Sequence, residues 1–261
     1  MLLAIDIGNT HISLGLVKKG KVKGLYHVET TLAAAALKSQ LHKALQFIAK
    51  KFPAIEDVIV CSVVPPALKA TESAVKKVFG NTPLVIGRDV KVPIVNRYRN
   101  PKQVGQDRLV CAYAAMRLYG FPVIVVDLGT AITLELVSAK QEYWGGIIVP
   151  GIKMSTESLY QKTALLPRTT IRRPRDIIGQ DTESSILSGI FYGYGAMIRG
   201  LVALVREKHK MRPKVVVTGG YTQIMRQYIE KNIDVIDTDL VFRGMELIWQ
   251  ELCHCSCSHC D

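Results

Sequence analysis

Residues 5–17 read IDIGNTHISLGLV and residues 126–137 read VDLGTAITLELV. With Asn9 set aside, the two align throughout: Asp6 with Asp127, Gly8 with Gly129 and Thr10 with Thr130. Ile12, Leu14, Leu16 and Val17 then fall on Ile132, Leu134, Leu136 and Val137. Each copy reads as a buried strand ending in an Asp, a tight glycine turn and a second strand with alternating faces. Two unrelated hairpins share a turn vocabulary, but rarely identity at Asp, Gly and Thr with the apolar pattern kept on both sides. The copies lie about 120 residues apart, a domain's length, so a duplicated unit is the expectation.

The turn explains why two copies are useful. Glycine lets the backbone approach a phosphate and aim N–H groups at it. Threonine and asparagine add neutral donors. The Asp repels phosphate directly but holds a cation that bridges to it. Two such turns facing one another across a cleft would clamp the phosphates of a nucleotide. A further glycine signal is KVVVTGG (214–220), where Gly219 and Gly220 would leave room for a flat ring at the nucleoside end. A plain strand-to-helix turn looks the same.

Strands and helices alternate between these landmarks. Helical spacing covers Leu32 to Lys51, Ala67 to Phe79 and Gln106 to Leu118, while Asp57 to Val63 and Leu84 to Ile86 read as strands. This alternation predicts the α/β class. Asp181 and Thr182 offer cap-type side chains for a long helix to about Lys208. Its Gly189, Gly193, Gly195 and Gly200 each cost up to about 1 kcal/mol against alanine, which close backbone packing would justify. That packing is either a helix-to-helix dimer contact or an intrachain one. The expected halves are 1–118 and 119–252, followed by a Cys/His-rich tail at 253–261.

The 261 residues, 48% hydrophobic, suffice for a large core. No basic leader precedes an apolar stretch, and runs such as Phe121 to Val126 soon meet an acid, so a cytoplasmic protein without a membrane span is expected. The formal charge of +12 suits nucleic acid, anionic lipid or small anions alike. The cations are spread along the chain, and the group Arg168 to Arg175 has no aromatic residue for base stacking, which argues against nucleic acid. Cys61 and Cys111 read as reduced core residues. The ending CHCSCSHCD offers thiolates and imidazoles for zinc or copper, but its C-x-C spacing favours a mobile reduced tail.

The chain has no GxxxxGK[ST] loop, no GxGxxG after a strand and no HExxH, so the paired turns are the available phosphate cradle. The segment YRNPKQVGQDR (98–108) ends in a polar triplet that opens an apolar helix. Asp107 there either favours the helix dipole or accepts a proton from a substrate hydroxyl, with Arg108 handling negative charge.

The series DIGNT (6–10), SVVP (62–65), GQDR (105–108), DLGTAIT (127–133), GGIIVPG (145–151), KTALLP (162–167), GQDTESSILSG (179–189) and VTGG (217–220) resembles the type III pantothenate kinases in order and spacing. The resemblance covers Met1 to about Leu252. It implies an actin-like ATPase fold of two ribonuclease H-like halves with a nucleotide cleft between them. It further implies phosphorylation of pantothenate by ATP, the first step to coenzyme A, in a homodimer needing Mg²⁺ and K⁺ or NH₄⁺. By that resemblance Asp6, Gly8, Asn9 and Thr10 form the first phosphate turn with Ser13 nearby, and Asp6 stands on the Mg²⁺ side. Thr130 belongs to the second turn, where Asp127 would bind the monovalent cation. Tyr98 would contact pantothenate, Gly105, Gln106, Asp107 and Arg108 would floor its pocket, and Asp107 would be the base. Thr182 would reach pantothenate from the neighbouring subunit. Glu135 stands where the family often has Asp, and Gln106 where it has a small apolar residue. Two other readings are a non-catalytic transcription accessory protein on the same fold and a kinase for another small alcohol. The retained Asp6, Asp107 and Asp127 argue against the first.

Overall fold

The computed structural model describes residues 1–30 and 33–257, and the side chains as far as Cys253. Most of the Cys/His tail, including Cys255, Cys257, Cys260, His254 and His259, therefore lies outside the described side chains. The chain divides into two compact units, Met1–Ala114 joined by the segment from Asp239 on, and Ala115–Thr238.

In the first unit, β1 (Leu2–Ile7), β2 (His11–Lys18) and β3 (Lys21–Glu29) form an antiparallel meander. β4 (Asp57–Ser62) and β5 (Leu84–Val85) extend it in parallel, giving the order β3-β2-β1-β4-β5. A two-residue strand, β6 (Val95–Asn96), follows. One sheet face, with Leu3, Ile5, Ile7, Leu14 and Leu16, is covered by α1 (Ala34–Lys51) and α2 (Pro65–Phe79). Leu37, Leu41, Leu45 and Ile48 of α1 recur at helical spacing and are all buried, each side chain contributing about 2 kcal/mol. α2 starts two residues before the predicted Ala67, because Pro65 and Pro66 fit a first helical turn whose N–H groups have no intrahelical acceptor. α3 (Gln106–Tyr119) follows.

The helix α7 (Leu240–Cys257) is where the contacts and the expected 119–252 boundary differ. It packs with the first unit, where Phe242 fills the space over Gly15 so closely that a Cβ there would come within 2.6 Å of the ring. Trp249 donates its indole N–H to Asp57 Oδ2 at 3.0 Å, and Glu246 accepts from the Gly20 N–H at 2.6 Å.

The second unit repeats the plan. β7 (Val123–Leu128), β8 (Ala131–Val137) and β9 (Glu142–Pro150) are antiparallel. β10 (Lys214–Thr218) and β11 (Val235–Ile236) add in parallel beyond β7, so that β9-β8-β7-β10-β11 repeats β3-β2-β1-β4-β5. The irregularity between Leu16 and Val17 recurs between Leu136 and Val137, the residues that the sequence repeat aligned. This repeated order makes both units ribonuclease H-like. α4 (Ile152–Lys162), α5 (Thr182–His209) and α6 (Thr222–Ile229) complete the unit.

α5 begins with a capping box: Asp181 accepts from the Ser184 N–H at 2.8 Å while Ser184 Oγ accepts from the Asp181 N–H. By length and composition it is apolar enough to cross a membrane. Its Leu187, Ile190, Phe191, Ile198 and Val202, however, are buried in the core against β7, β8 and α6. Gly195 meets the Tyr228 carbonyl of α6, where a Cβ would come within 2.5 Å, so one of the four glycines has an intrachain cause. Gly189, Gly193 and Gly200 face open space.

Candidate active site

Asp6 is the last residue but one of β1, and the register sets it beside Ser13 of β2 and Cys61 of β4. Ser13 in turn lies beside His27, with Ser13 Oγ 3.0 Å from His27 Nδ1. The turn that follows is braced from within. The Gly8 N–H donates to the His11 carbonyl at 3.0 Å, Thr30 Oγ1 to the Gly8 carbonyl at 2.8 Å, and the Thr30 N–H to the Thr10 carbonyl at 3.0 Å. A Cβ on Gly8 would meet nothing nearer than 3.4 Å, so packing within the chain does not require glycine there. Asn9 at the tip is exposed.

Asp107 sits in the first turn of α3, where it favours the helix dipole, and its Oδ1 accepts from the Arg108 N–H at 2.8 Å. Gly105 has a clear cause: a Cβ would lie 2.5 Å from that same oxygen. The Gln106 side chain lies against Gly87, whose φ of +88° suits glycine alone, which accounts for the larger residue at this position. Tyr98 is half-buried on the preceding loop, its N–H bonded to Asn96 Oδ1 at 2.9 Å.

What joins Asp6 to Asp107 is Cys61. Burial pushes its thiol well above the usual range, and the Asp6 and Asp107 carboxylates push it further. The two acids, distant in sequence, thus act on one buried point at the end of β4. Sequence reasoning placed Cys61 in the core, where it is, but missed that position. The alternation of DVIVCS marks a buried strand without saying what its inner face meets.

In the second unit Asp127 is the last residue but one of β7, beside Thr133 and Thr218. Its carboxylate is enclosed by glycines. A Cβ on Gly129 would come within 3.3 Å of Oδ1, and one on Gly219 would strike it and the Leu128 backbone, at a φ of +97°. Gly219 thus has a cause inside the unit, whereas Gly220 faces open space and Thr130 is exposed. The neighbouring Glu135 is buried and accepts from the Tyr143 hydroxyl at 2.6 Å, and Gly146 gives it room. Thr182 is exposed in the first turn of α5.

Among the described residues no three His, Cys, Asp or Glu side chains cluster as a metal cage. A magnesium ion that takes one carboxylate and leaves its other positions to phosphate and water needs none.

Two ribonuclease H-like units, each with an Asp-x-Gly turn at the end of its first strand, give the chain the actin-like ATPase fold. Within that class the chain belongs to the type III pantothenate kinase family, whose model matches residues 2–204. It is 40% identical over 258 residues to a type III pantothenate kinase of Halalkalibacterium halodurans, covering 96% of this chain and 99% of that one. Among solved structures it resembles a Baf family transcriptional activator from Campylobacter jejuni, with a TM-score of 0.61 and 22% identity, covering 97% of this chain and 99% of that one. It also resembles the activator of 2-hydroxyisocaproyl-CoA dehydratase from Clostridium difficile, solved with bound ADPNP, with a TM-score of 0.55 and 12% identity over 98% and 97% of the two chains. These structural likenesses bear on the fold alone.

Proposed function

We propose that this chain transfers the γ-phosphoryl group of ATP to the primary hydroxyl of pantothenate, giving 4'-phosphopantothenate for coenzyme A synthesis. Membership of the family supports the reaction. The observation that supports the assignment of roles is the convergence of Asp6 and Asp107 on Cys61.

An alcohol is a weak nucleophile, and phosphoryl transfer depends on positioning and neutralised charge. Asp107 orients the hydroxyl in line and takes its proton late, and Gly105 leaves the space in which that carboxylate sits. The Asn9 and Thr10 N–H groups and the Ser13 hydroxyl meet the phosphates, on a turn held by the Gly8–His11 bond and by Thr30, with Gly8 leaving the space for them. Mg²⁺ at Asp6 would supply charge neutralisation on the phosphates. A monovalent cation, K⁺ or NH₄⁺, is assigned to Asp127, with Thr130 on the phosphate and Gly220 beside the nucleoside. Tyr98, Gly105, Gln106 and Arg108 are assigned to pantothenate.

The active form is a homodimer, in which Thr182 is contributed to the neighbouring pantothenate site. The support is the outer stripe of α5, where Gly189, Gly193, Ala196, Gly200 and Ala203 are exposed at helical spacing and the three glycines meet nothing within 4 Å. Sedimentation of Gly193→Leu tests it: monomer with intact helicity is expected, and an unchanged dimer would remove α5 from the interface. The cytoplasm, where ATP and K⁺ are abundant, is the assigned location.

The decisive experiment measures ATP consumption with Mg²⁺, with and without pantothenate, in potassium and then sodium buffer, with Asp107→Asn alongside. Pantothenate-dependent turnover that needs potassium and collapses in the variant is expected. Nucleotide binding without turnover in any cation would overturn the kinase reading in favour of a regulatory protein.

A further inference from the structure

The second unit holds a concave basic surface that the phosphotransfer roles leave unused. α5 ends in a bend: Lys210 takes a φ of 49°, and its N–H reaches the Arg206 and Glu207 carbonyls. The Met211 N–H returns to the Arg206 carbonyl at 3.3 Å. The chain then runs into β10, enclosing an open cavity of about 790 Å³ lined by Arg206, Lys210, Arg212 and Lys214, with Glu207 and Asp234. That volume lies within the roughly 300–1,000 Å³ usual for small-ligand sites.

A helix C-terminus attracts cations to its carbonyls, but that satisfies the first one or two and not four. Two further observations point to a ligand. Arg206 is anchored by its Nη2 on the Pro213 carbonyl at 3.2 Å, while its Nε is buried without a hydrogen-bond partner. A buried guanidinium N–H left unpaired is costly, and a turn of the Arg206 side chain toward a bound acceptor would relieve it. The acids, moreover, do not neutralise the cations. Asp234 Oδ2 accepts from the Val215 N–H at 2.7 Å, and among the described residues none of the four cations is in an ion pair. The other basic stretch differs: Arg172 pairs with Glu183 at 3.2 Å, and Arg173 donates to the Gln223 and Ile224 carbonyls.

We propose that this basin binds oligophosphate, a chain of two or more linked phosphates, at a site separate from the catalytic turns. Guanidinium groups grip phosphate oxygens in pairs and ammonium groups follow as mobile point charges. Four cations against two carboxylates leave the lining net positive, and its attraction grows with the charge of the ligand, so a dense anion gains most. No aromatic ring lines the basin, so recognition is of phosphate and not of a base.

The test titrates inorganic tripolyphosphate into the full-length protein by calorimetry, with sulfate at matched ionic strength as reference and amide NMR shifts to locate binding. Arg212→Glu/Lys214→Glu, a double variant at two exposed positions, is the comparison. Expected are shifts at Met211–Lys214, at least tenfold weaker binding in the double variant, and unchanged kcat and KM for ATP. Equal affinity in the two proteins, sulfate binding as well as tripolyphosphate, or shifts confined to the catalytic turns would each overturn the proposal.

Discussion

The two Asp-Gly turns share residues, register and even the position of a strand irregularity, yet their surroundings differ. The Gly8 turn is open, since a methyl group added to Gly8 would meet nothing closer than 3.4 Å, and its Asp6 shares the Cys61 neighbourhood with a second acid from α3. The Asp127 turn is closed by a further glycine: a Cβ on Gly219 would strike the carboxylate, while one on Gly129, the counterpart of Gly8, would come no nearer than 3.3 Å. One copy sets its acid beside Cys61, which a second acid from α3 also faces. The other sets its acid against Gly219, just past the end of β10. A duplicated motif thus diverges through what packs on it, and the proposed roles put reactivity on the open copy and fixed positioning on the closed one.

The largest effect that tests this assignment is at the open site. Asp107→Asn should lower kcat about 10³-fold, equivalent to about 4 kcal/mol, with little change in KM for ATP. Thermal unfolding should show no loss of stability, since the substitution removes one of two like charges near Cys61. Single-turnover kinetics measures the first and calorimetry the second. A variant retaining a tenth of the activity would mean that Asp107 is only a helix-terminal charge.

Next comes a pair of glycines. Gly219→Ala, at a φ of +97° and against both the Asp127 carboxylate and the Leu128 backbone, should cost about 3 kcal/mol of stability in denaturant unfolding. Gly8→Ala should unfold within about 1 kcal/mol of the parent yet raise KM for ATP about tenfold, because its methyl group takes the space of a phosphate. Equal destabilisation by both would erase the contrast between an open and a closed turn. Asp127→Asn belongs to the same series. Activation by potassium should weaken about tenfold, with kcat at saturating salt within about threefold of the parent, as read from turnover against potassium concentration.

The repeat itself was legible in the sequence, because a strand, a turn and a strand are local and their apolar period survives duplication. Element positions along the chain were legible for the same reason: α3 and α5 fall within a residue or so of their expected bounds. What could not be read was what the strands meet sideways. Parallel neighbours set Asp6 beside Cys61 and Asp127 beside Thr218, and a buried strand's residues do not encode which strand comes next. The return of α7 to the first unit depends on Phe242 over Gly15 and on Trp249 with Asp57, pairs separated by most of the chain. Gly219 carried a visible signal in its glycine pair, but a space for a nucleoside and a space for the Asp127 carboxylate look alike until β7 and β10 are side by side.

The smallest effect concerns Cys61, and it tests whether the buried point beside Asp6 and Asp107 holds its thiol protonated. The folded state holds this thiol protonated, first by burial and then by the Asp6 and Asp107 carboxylates, so its folded pKa lies above its unfolded one. Stability from the protonated thiol is therefore complete below the unfolded value of roughly 8.5 and is lost as pH rises above it, by about 1.4 kcal/mol per unit. Cys61→Ala removes the group and should flatten the decline in unfolding free energy between about pH 8.5 and 10, measured by denaturant titration in magnesium-free buffer. Every other titrating group is common to both proteins, so the difference in slope isolates this thiol. Identical slopes would mean that Cys61 ionises as freely in the folded chain as in the unfolded one, and the electrostatic distinction between the two turns would have to be abandoned.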